Sequence, residues 1–363
     1  MHIVHGLRAG GMEYGVLKLS AGMCQDRFDM SVCSTIPKDL PASHVSPGVR
    51  VFELNRQPGL DLRCIRDLSR LMRHERPAIV HTHGWGTLVE GFVAARWAGV
   101  PSVVHGEHGT LQVRAHQRLI QGWVWPRITQ LVSVSSKLAE RMADVIGVPA
   151  SRIAVLRNGV DLGRFGAVGR SEARVNLGVK ASDLVIGTIG RLSEVKDHAT
   201  LVEAVWLLQQ SGVPATTVIV GEGSCRAALE AHIARRGLDG SVRLPGHVSE
   251  VEALLPGFDV FVLSSRSEGL PNSVLEAMAC GVPVVSTRVG GVEELVVETV
   301  TGVLVEAGSP PALARALENL ARDAPRRRDM GHAGRERARR EFALPVAVAR
   351  YEELYTKLAA SAS

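Results

Sequence analysis

The chain has 363 residues, 45% apolar and 22% charged, with a net charge of +5; this is longer than one hydrophobic core usually fills and ordinary for a soluble globular protein, which favours two domains. Five cysteines (Cys24, Cys33, Cys64, Cys225, Cys280) form no CxxC pair and are odd in number, which argues against a disulfide framework or thiolate metal centre and for a reducing compartment. The opening "MHIVHGLRAGG" lacks the pattern of a secretory signal, and no run approaches the roughly 18 apolar residues of a membrane span, so a cytoplasmic protein is expected.

Taken in chain order, short apolar runs alternate with helical patterns. "MHIVHGL", "PAIVHTH", "PSVVHGEHG" and "LVSVSS" read as strands in the first half. Between them, "DLRCIRDLSRLMRHERP" spaces Arg63, Arg66, Arg70 and Arg73 along one helix face, with Leu62, Ile65, Leu68 and Met72 more inward. "RAHQRLIQGWVWPR" adds Arg114, Arg118, Arg127, Trp123 and Trp125. Residues 1–165 hold 20 Lys and Arg against 13 Asp and Glu; the rest holds 22 against 24. A basic first half with tryptophans fits an anionic membrane surface, and equally a solvated stripe above two core tryptophans. Nucleic acid is disfavoured, because no recognised binding motif accompanies the charge.

"RNGVDLGRFGAVGRSEARVNLG" marks a junction before a fresh strand near Leu184. "LVIGTIGRL", "ATTVIVGEG", "SVRLPGH", "DVFVLSS" and "PVVSTRVGG" then repeat the strand pattern. Near-continuous apolar strands separated by helices predict two doubly wound parallel sheets. Ligands of such sheets bind beyond the strands' carboxyl ends. Polar and glycine residues cluster there: His81 and His83, His105 to Gly109, Gly190 to Lys196, Gly221 to Gly223, Gly246-His247, and Ser264 to Glu268. His-x-His is a metal-pair spacing, but no third ligand is evident in sequence.

Two stretches carry the strongest chemistry. In "GTIGRLSEVKDH", Arg191 offers a planar fork and Lys196 a point charge, a pair suited to a diphosphate or simply to a helix start at the surface. In "SRSEGLPNSVLEAMACGVPVV", Pro271 suits the first turn of a helix that Gly281 ends. The backbone around Gly269 to Asn272 then forms a helix N-terminus, a ready anion site. Glu268 precedes this helix, and Glu276 lies within it among apolar neighbours, on the sheet-facing side. A buried carboxylate needs donors. Ribose hydroxyls would serve, as would a nearby arginine.

"EGLPNSVLEAMACGVPVVSTRVGG" resembles the Glu-x7-Glu signature of retaining GT-B glycosyltransferases of family 4, and the resemblance spans essentially the whole chain. "GGMEYGVLKL", "GRLSEVKDH", "NGVDLGRF", "VGEG" and "LPGHV" stand in the family's order, and "HTHGWGTLVEG" and "HGEHG" resemble bacterial members that build capsule, exopolysaccharide or lipopolysaccharide. The resemblance implies an N-terminal acceptor-binding Rossmann-like domain over 1–165, a donor-binding one over 166–345, and a central cleft closed by a hinge. It implies a C-terminal helix over 346–363 that crosses back to the first domain. Arg191, Lys196, Glu268 and His105 would be the catalytic group. Gly10, Gly11, Gly190, Gly221, Val248, Gly269, Leu270, Pro271, Asn272, Val274 and Glu276 would bind the donor, with Glu268 on its sugar and Glu276 on its ribose. Glu13, His83, Glu107 and His108 would face the acceptor. The implied reaction is metal-independent, retaining transfer of a hexosyl or N-acetylhexosaminyl group from a nucleotide-sugar, UDP before GDP, to a sugar or lipid-linked acceptor. Peripheral contact with the inner face of the plasma membrane goes with that acceptor. A sugar-nucleotide epimerase or hydrolase, or a non-catalytic nucleotide-sugar sensor, would share the fold.

Overall fold

The computed structural model describes residues 1–7, 10–39, 45–109, 111 and 114–361. It divides into two compact units: Met1–Gly159 together with the chain from Leu344 onward, and Val160–Ala343.

In the first unit the strands are β1 (His2–Val4), β2 (Ser31–Ser34), β3 (Arg50–Glu53), β4 (Ile79–His83), β5 (Ser102–Glu107), β6 (Gln130–Ser133) and β7 (Ile153–Val155). Among the described residues they form one parallel sheet in the order β3-β2-β1-β4-β5-β6-β7. The order reverses between β1 and β4. Helices α1 (Gly11–Gly22), α2 (Leu62–Glu75), α3 (Trp85–Ala98), α4 (Ala115–Val124) and α5 (Ser136–Ile146) are the crossovers. Strands β2, β3 and β7 are absent from the reading by apolar runs. Each is only three or four residues long, and β3 is half-exposed at the sheet edge, so none supplies a run.

The second unit contains β8 (Val185–Ile189), β9 (Thr216–Val220), β10 (Val242–Gly246), β11 (Val260–Leu263), β12 (Val284–Thr287) and β13 (Gly302–Val305), in the order β10-β9-β8-β11-β12-β13. Its reversal falls between β8 and β11. Helices α6 (Arg170–Leu177), α7 (His198–Gln210), α8 (Arg226–Arg235), α9 (Asn272–Ala279), α10 (Val292–Leu295), α11 (Pro310–Arg322) and α12 (Ala324–Glu341) accompany this sheet. Its core joins Ile186, Ile219, Val260, Val262 and Val285 from the strands to Leu201, Val205, Leu313 and Leu317 from α7 and α11. Each such side chain stabilises the fold by about 1.5–3 kcal/mol on burial.

The last helix, α13 (Leu344–Ala360), belongs to the first unit. Val348, Tyr351, Tyr355 and Leu358 pack on Leu19, Met23, Val104 and Val132, so α13 covers one side of that sheet beside α1. The family resemblance implies this return of the chain. Periodicity alone does not, because an amphipathic helix does not name the surface it will cover.

Two details differ from the sequence expectations for the basic region. Leu62, expected to face inward, opens α2 with 66% of its surface exposed. The tryptophan pair splits: Trp125 is fully buried, whereas Trp123 is 55% exposed with the Arg127 guanidinium 4.4 Å from its ring. Leu60, Trp97 and Leu119 are also exposed in this unit. Among the described residues no helix is long and apolar enough to cross a membrane.

Candidate active site

In the second unit the candidate residues gather where the strand order reverses. Lys196 follows β8 and Glu268 follows β11, the two strands at the reversal, the position beyond the strands' carboxyl ends where such sheets bind ligands. Lys196 Nζ donates to Glu268 Oε1 at 2.6 Å, and Ser265 Oγ donates to the same oxygen at 2.5 Å. The two side chains are 22% and 10% exposed. The sequence treats this lysine and glutamate as separate contacts; folding makes them one ion pair.

The loops carrying the pair are held on both sides. Ser264 Oγ donates to the Lys196 carbonyl at 3.0 Å, and the Arg266 amide donates to the Val195 carbonyl at 2.8 Å. Arg266 Nε and Thr200 Oγ1 both donate to Asp197 Oδ2 at 2.9 Å, across a residue with a φ of +46°. A non-glycine residue in that region is strained and persists when its surroundings over-determine it. Lys196 therefore projects from a loop held by four bonds, two to the Val195 and Lys196 carbonyls and two to the Asp197 carboxylate, as positioning of a charge requires.

Behind Glu268, the Gly291 amide donates to the Gly269 carbonyl at 2.8 Å. Gly290 has a φ of +53°, and a Cβ there would run into the Glu268 carbonyl oxygen. The sequence reading places no role on Ser265, Gly290 or Gly291, although "STRVGG" lies within the recognised motif. The signal is present, but what these residues touch is not.

Arg191 is exposed just after Gly190. Gly221 sits at φ +143°, and a Cβ there would overlap the Gly190 carbonyl oxygen. Gly190 and Gly221 thus bring the ends of β8 and β9 into close approach. Val248 lies half-buried after β10.

On α9, Pro271 takes the N-cap position with ψ +115°, one residue before the first turn expected for it. Leu270 and Val274 are buried. Val274 has no exposed surface, so it supports the site by packing and does not line a pocket. Glu276 corrects a further expectation. It is half-buried, with Asn272 and Ser273, while Val274, Leu275, Ala277, Met278 and Ala279 form the buried face. Helical spacing of three and four puts Glu276 beside Asn272 and Ser273 despite its apolar sequence neighbours.

In the first unit Gly10 is the N-cap of α1, Gly11 its first residue, and Glu13 lies half-buried in its first turn. A Cβ on Gly10 would collide with the Glu13 carboxylate, so the missing side chain makes room for that acid. Residues 8 and 9 of this loop lie outside the described residues.

His105 is fully buried on β5. Its Nδ1 pairs with Thr82 Oγ1 at 2.8 Å and its Nε2 with Glu107 Oε1 at 3.1 Å. Both nitrogens are engaged, so His105 is built to orient Glu107 and has no surface to offer a sugar. His83 is 2% exposed: its Nε2 pairs with His2 Nδ1 at 2.8 Å and its Nδ1 with His108 Nε2 at 2.7 Å. This places His83 behind the half-buried His108, away from direct acceptor contact. Burial chiefly, and repulsion from neighbouring imidazoles next, hold His2, His81 and His83 well below the ordinary histidine pKa. Burial likewise lowers His108 to about 4. All four are neutral at pH 7.

The comparisons with known proteins follow this geometry. The chain matches the model of glycosyltransferase family 4 over residues 9–164 and that of glycosyl transferases group 1 over 169–337. An Escherichia coli UDP-Gal:alpha-D-GlcNAc-diphosphoundecaprenol alpha-1,3-galactosyltransferase is 30% identical over 72% of this chain and 71% of its own. A D-inositol 3-phosphate glycosyltransferase of Pseudarthrobacter chlorophenolicus is 28% identical over 91% and 86%. The crystal structure of Anabaena HepE in complex with UDP shares the fold with a TM-score of 0.85 at 22% identity, over 98% of this chain and 99% of that one. A sucrose-phosphate synthase from Thermosynechococcus elongatus has the same TM-score at 20% identity, over 99% and 98%. Two parallel sheets with the Lys196–Glu268 pair at one reversal, both family models in order and a relative at 30% identity together make this chain a GT-B glycosyltransferase of family 4.

Proposed function

We propose that this glycosyltransferase moves a hexosyl or N-acetylhexosaminyl group, with retention of anomeric configuration, from a UDP-sugar to a sugar or lipid-linked saccharide acceptor in surface-polysaccharide or glycoconjugate assembly. The observation that carries the reading is the Lys196–Glu268 pair at the reversal between β8 and β11. There the second unit, Val160–Ala343, serves as the donor-binding domain. Glu268 takes sugar hydroxyls, Glu276 the ribose, and Arg191 and Lys196 the diphosphate, whose charge grows as the glycosidic bond breaks. Lysine has three donors, so Nζ keeps capacity for phosphate while bonded to Glu268. Gly190, Gly221, Gly269, Leu270, Pro271 and Asn272 shape the donor site in backbone, with Val248 beside the base. The charge is met by these cations in place of a metal at the donor.

The first unit is the acceptor domain, using Glu13, Glu107 and His108 for contact, with Gly10 and Gly11 opening the loop. His105 and His83 hold Glu107 and His108. In a front-face displacement the acceptor hydroxyl attacks on the leaving group's side, and a phosphate oxygen takes its proton. The enzyme then acts through positioning and charge stabilisation. The choice of UDP is supported by the Anabaena HepE structure, which was solved in complex with UDP, and by the UDP-Gal enzyme of Escherichia coli. A panel of UDP- and GDP-sugars with saccharide and polyprenyl-diphosphate-saccharide acceptors tests it. The expected product keeps the donor's anomeric configuration by NMR and forms undiminished in EDTA. Release of free sugar alone would identify a hydrolase instead.

A lipid-linked acceptor also accounts for the exposed Trp123 and Leu119 beside Arg118 and Arg127, an apolar and basic combination suited to an anionic membrane face. The protein is expected to co-sediment with phosphatidylglycerol vesicles and not with phosphatidylcholine ones. Trp123→Ser with Leu119→Ser should weaken this about tenfold or more, given the apolar area removed. Equal binding to both vesicle types would overturn the membrane assignment.

A further inference from the structure

The sheet of the first unit brings together three histidines that the sequence holds far apart. His81 and His83 are two residues apart on β4 and so share one face. His2 on β1 pairs in register with His81. One ring nitrogen from each of the three lies within 4.8 Å of one from each of the others, and the residues are 1%, 1% and 2% exposed. The rings are stacked at 4.2–5.2 Å.

Hydrogen bonding accounts for every ring nitrogen of these residues except one. His2 Nδ1 meets His83 Nε2 at 2.8 Å, His83 Nδ1 meets His108 Nε2 at 2.7 Å, and His81 Nδ1 meets the Tyr355 hydroxyl at 2.6 Å. That hydroxyl also lies 3.4 Å from His2 Nε2. His81 Nε2 is buried with no hydrogen-bond partner. It lies 2.9 Å from the place a Cβ on Gly106 would occupy, so glycine on β5 leaves space on that side of the ring, where His108 Nε2 and His83 Nδ1 also lie. An unsatisfied polar atom at such depth costs about 1–3 kcal/mol, and packing of neutral imidazoles alone leaves that cost in place.

We propose that His2, His81 and His83 form a binding site for a borderline divalent cation, Zn2+ in the first place, which ties β1 and β4 together beneath α13. His2 Nδ1 and His83 Nε2, which face each other, are two of the ligand atoms, and His81 supplies one ring nitrogen. Imidazole nitrogens suit Zn2+. Tetrahedral ligation at about 2.0–2.1 Å separates ligand nitrogens by roughly 3.3 Å, so the His2–His83 pair opens by about half an ångström as the stacked rings fan apart. The other ring nitrogens of His2 and His83 keep outer partners, Tyr355 and His108, the arrangement by which proteins orient metal-bound histidines. The cation is distinct from the donor chemistry in the second unit and leaves one coordination position for water.

Chelator-stripped protein is loaded with Zn2+, passed through gel filtration and analysed for metal; Co2+ provides an optical probe. About one equivalent of Zn2+ should remain per chain, raise the melting temperature, and be replaced by Co2+ with the strong visible bands of a four-coordinate site. His83→Ala should retain no stoichiometric metal. Tyr355→Phe should keep the stoichiometry with affinity reduced about 10–100-fold, as for loss of a partner that orients a ligand. Wild-type protein that is folded by circular dichroism yet retains no Zn2+ would overturn the proposal. So would His83→Ala binding Zn2+ as tightly as wild type. Both readouts are independent of sugar transfer, so their failure leaves the donor assignment intact.

Discussion

Lys196→Ala should lower kcat/KM for sugar transfer by about 10²–10³-fold, the scale expected when a preorganised charge is withdrawn from a developing anion. The protein should remain folded. Glu268 keeps the Ser265 hydroxyl at 2.5 Å when Nζ is removed, so its carboxylate is not left without a donor. The pair is 22% and 10% exposed, between the surface and buried limits. A stability loss of about 1–2 kcal/mol follows. The loss of activity should fall mainly on kcat, because diphosphate charge is greatest in the transition state. Glu268→Gln separates the partners: it keeps an acceptor for Ser265 and leaves Lys196 its charge, but weakens the grip on sugar hydroxyls. Initial rates with UDP-sugar, alongside urea unfolding of each variant, make the test. Wild-type turnover in Lys196→Ala would remove Lys196 from the diphosphate role.

Gly290→Ala is expected to be as damaging for a different reason. At a φ of +53° an L-side chain costs about 1–2 kcal/mol by itself. The added Cβ also runs into the Glu268 carbonyl oxygen, which is backbone and cannot swing aside. Either the 288–291 loop or the 265–269 loop must move. The bond from the Gly291 amide to the Gly269 carbonyl lengthens in either case. Together these should reduce stability by about 2–4 kcal/mol, within the range for strain at special backbone positions. Transfer should fall by about 10²-fold or more, since misplacing a binding group by an ångström has that effect. Unlike Lys196→Ala, this variant should lose donor affinity and melting temperature together. A Gly290→Ala protein with normal melting temperature and normal activity would show that the loop relaxes freely, and that Glu268 does not depend on it.

The histidines show how readily local spacing misleads about depth. The resemblance implies a catalytic His105 and an acceptor-facing His83, yet the sheet buries both and engages all four of their nitrogens. Glu276 errs in the opposite direction: its chain neighbours are apolar, and it still lies on the half-exposed face of α9. Neighbours in sequence report composition; burial depends on which face of an element meets the core.

The amino-acid sequence by itself determined the alternation of apolar strands with helices, the doubling of that pattern, and the chemical inventory of the proposed donor site, because these depend on short-range spacing and on residues fixed within one motif. Arg191, Lys196, Glu268 and Glu276 are all legible in that way. The tertiary structure alone decided which groups meet. Lys196 and Glu268 are joined because β8 and β11 lie side by side at the reversal of strand order. His2 reaches His81 and His83 because β1 and β4 do the same in the other sheet. Strand order is a long-range outcome of packing, with partners more than seventy residues apart, and no local pattern of side chains encodes it.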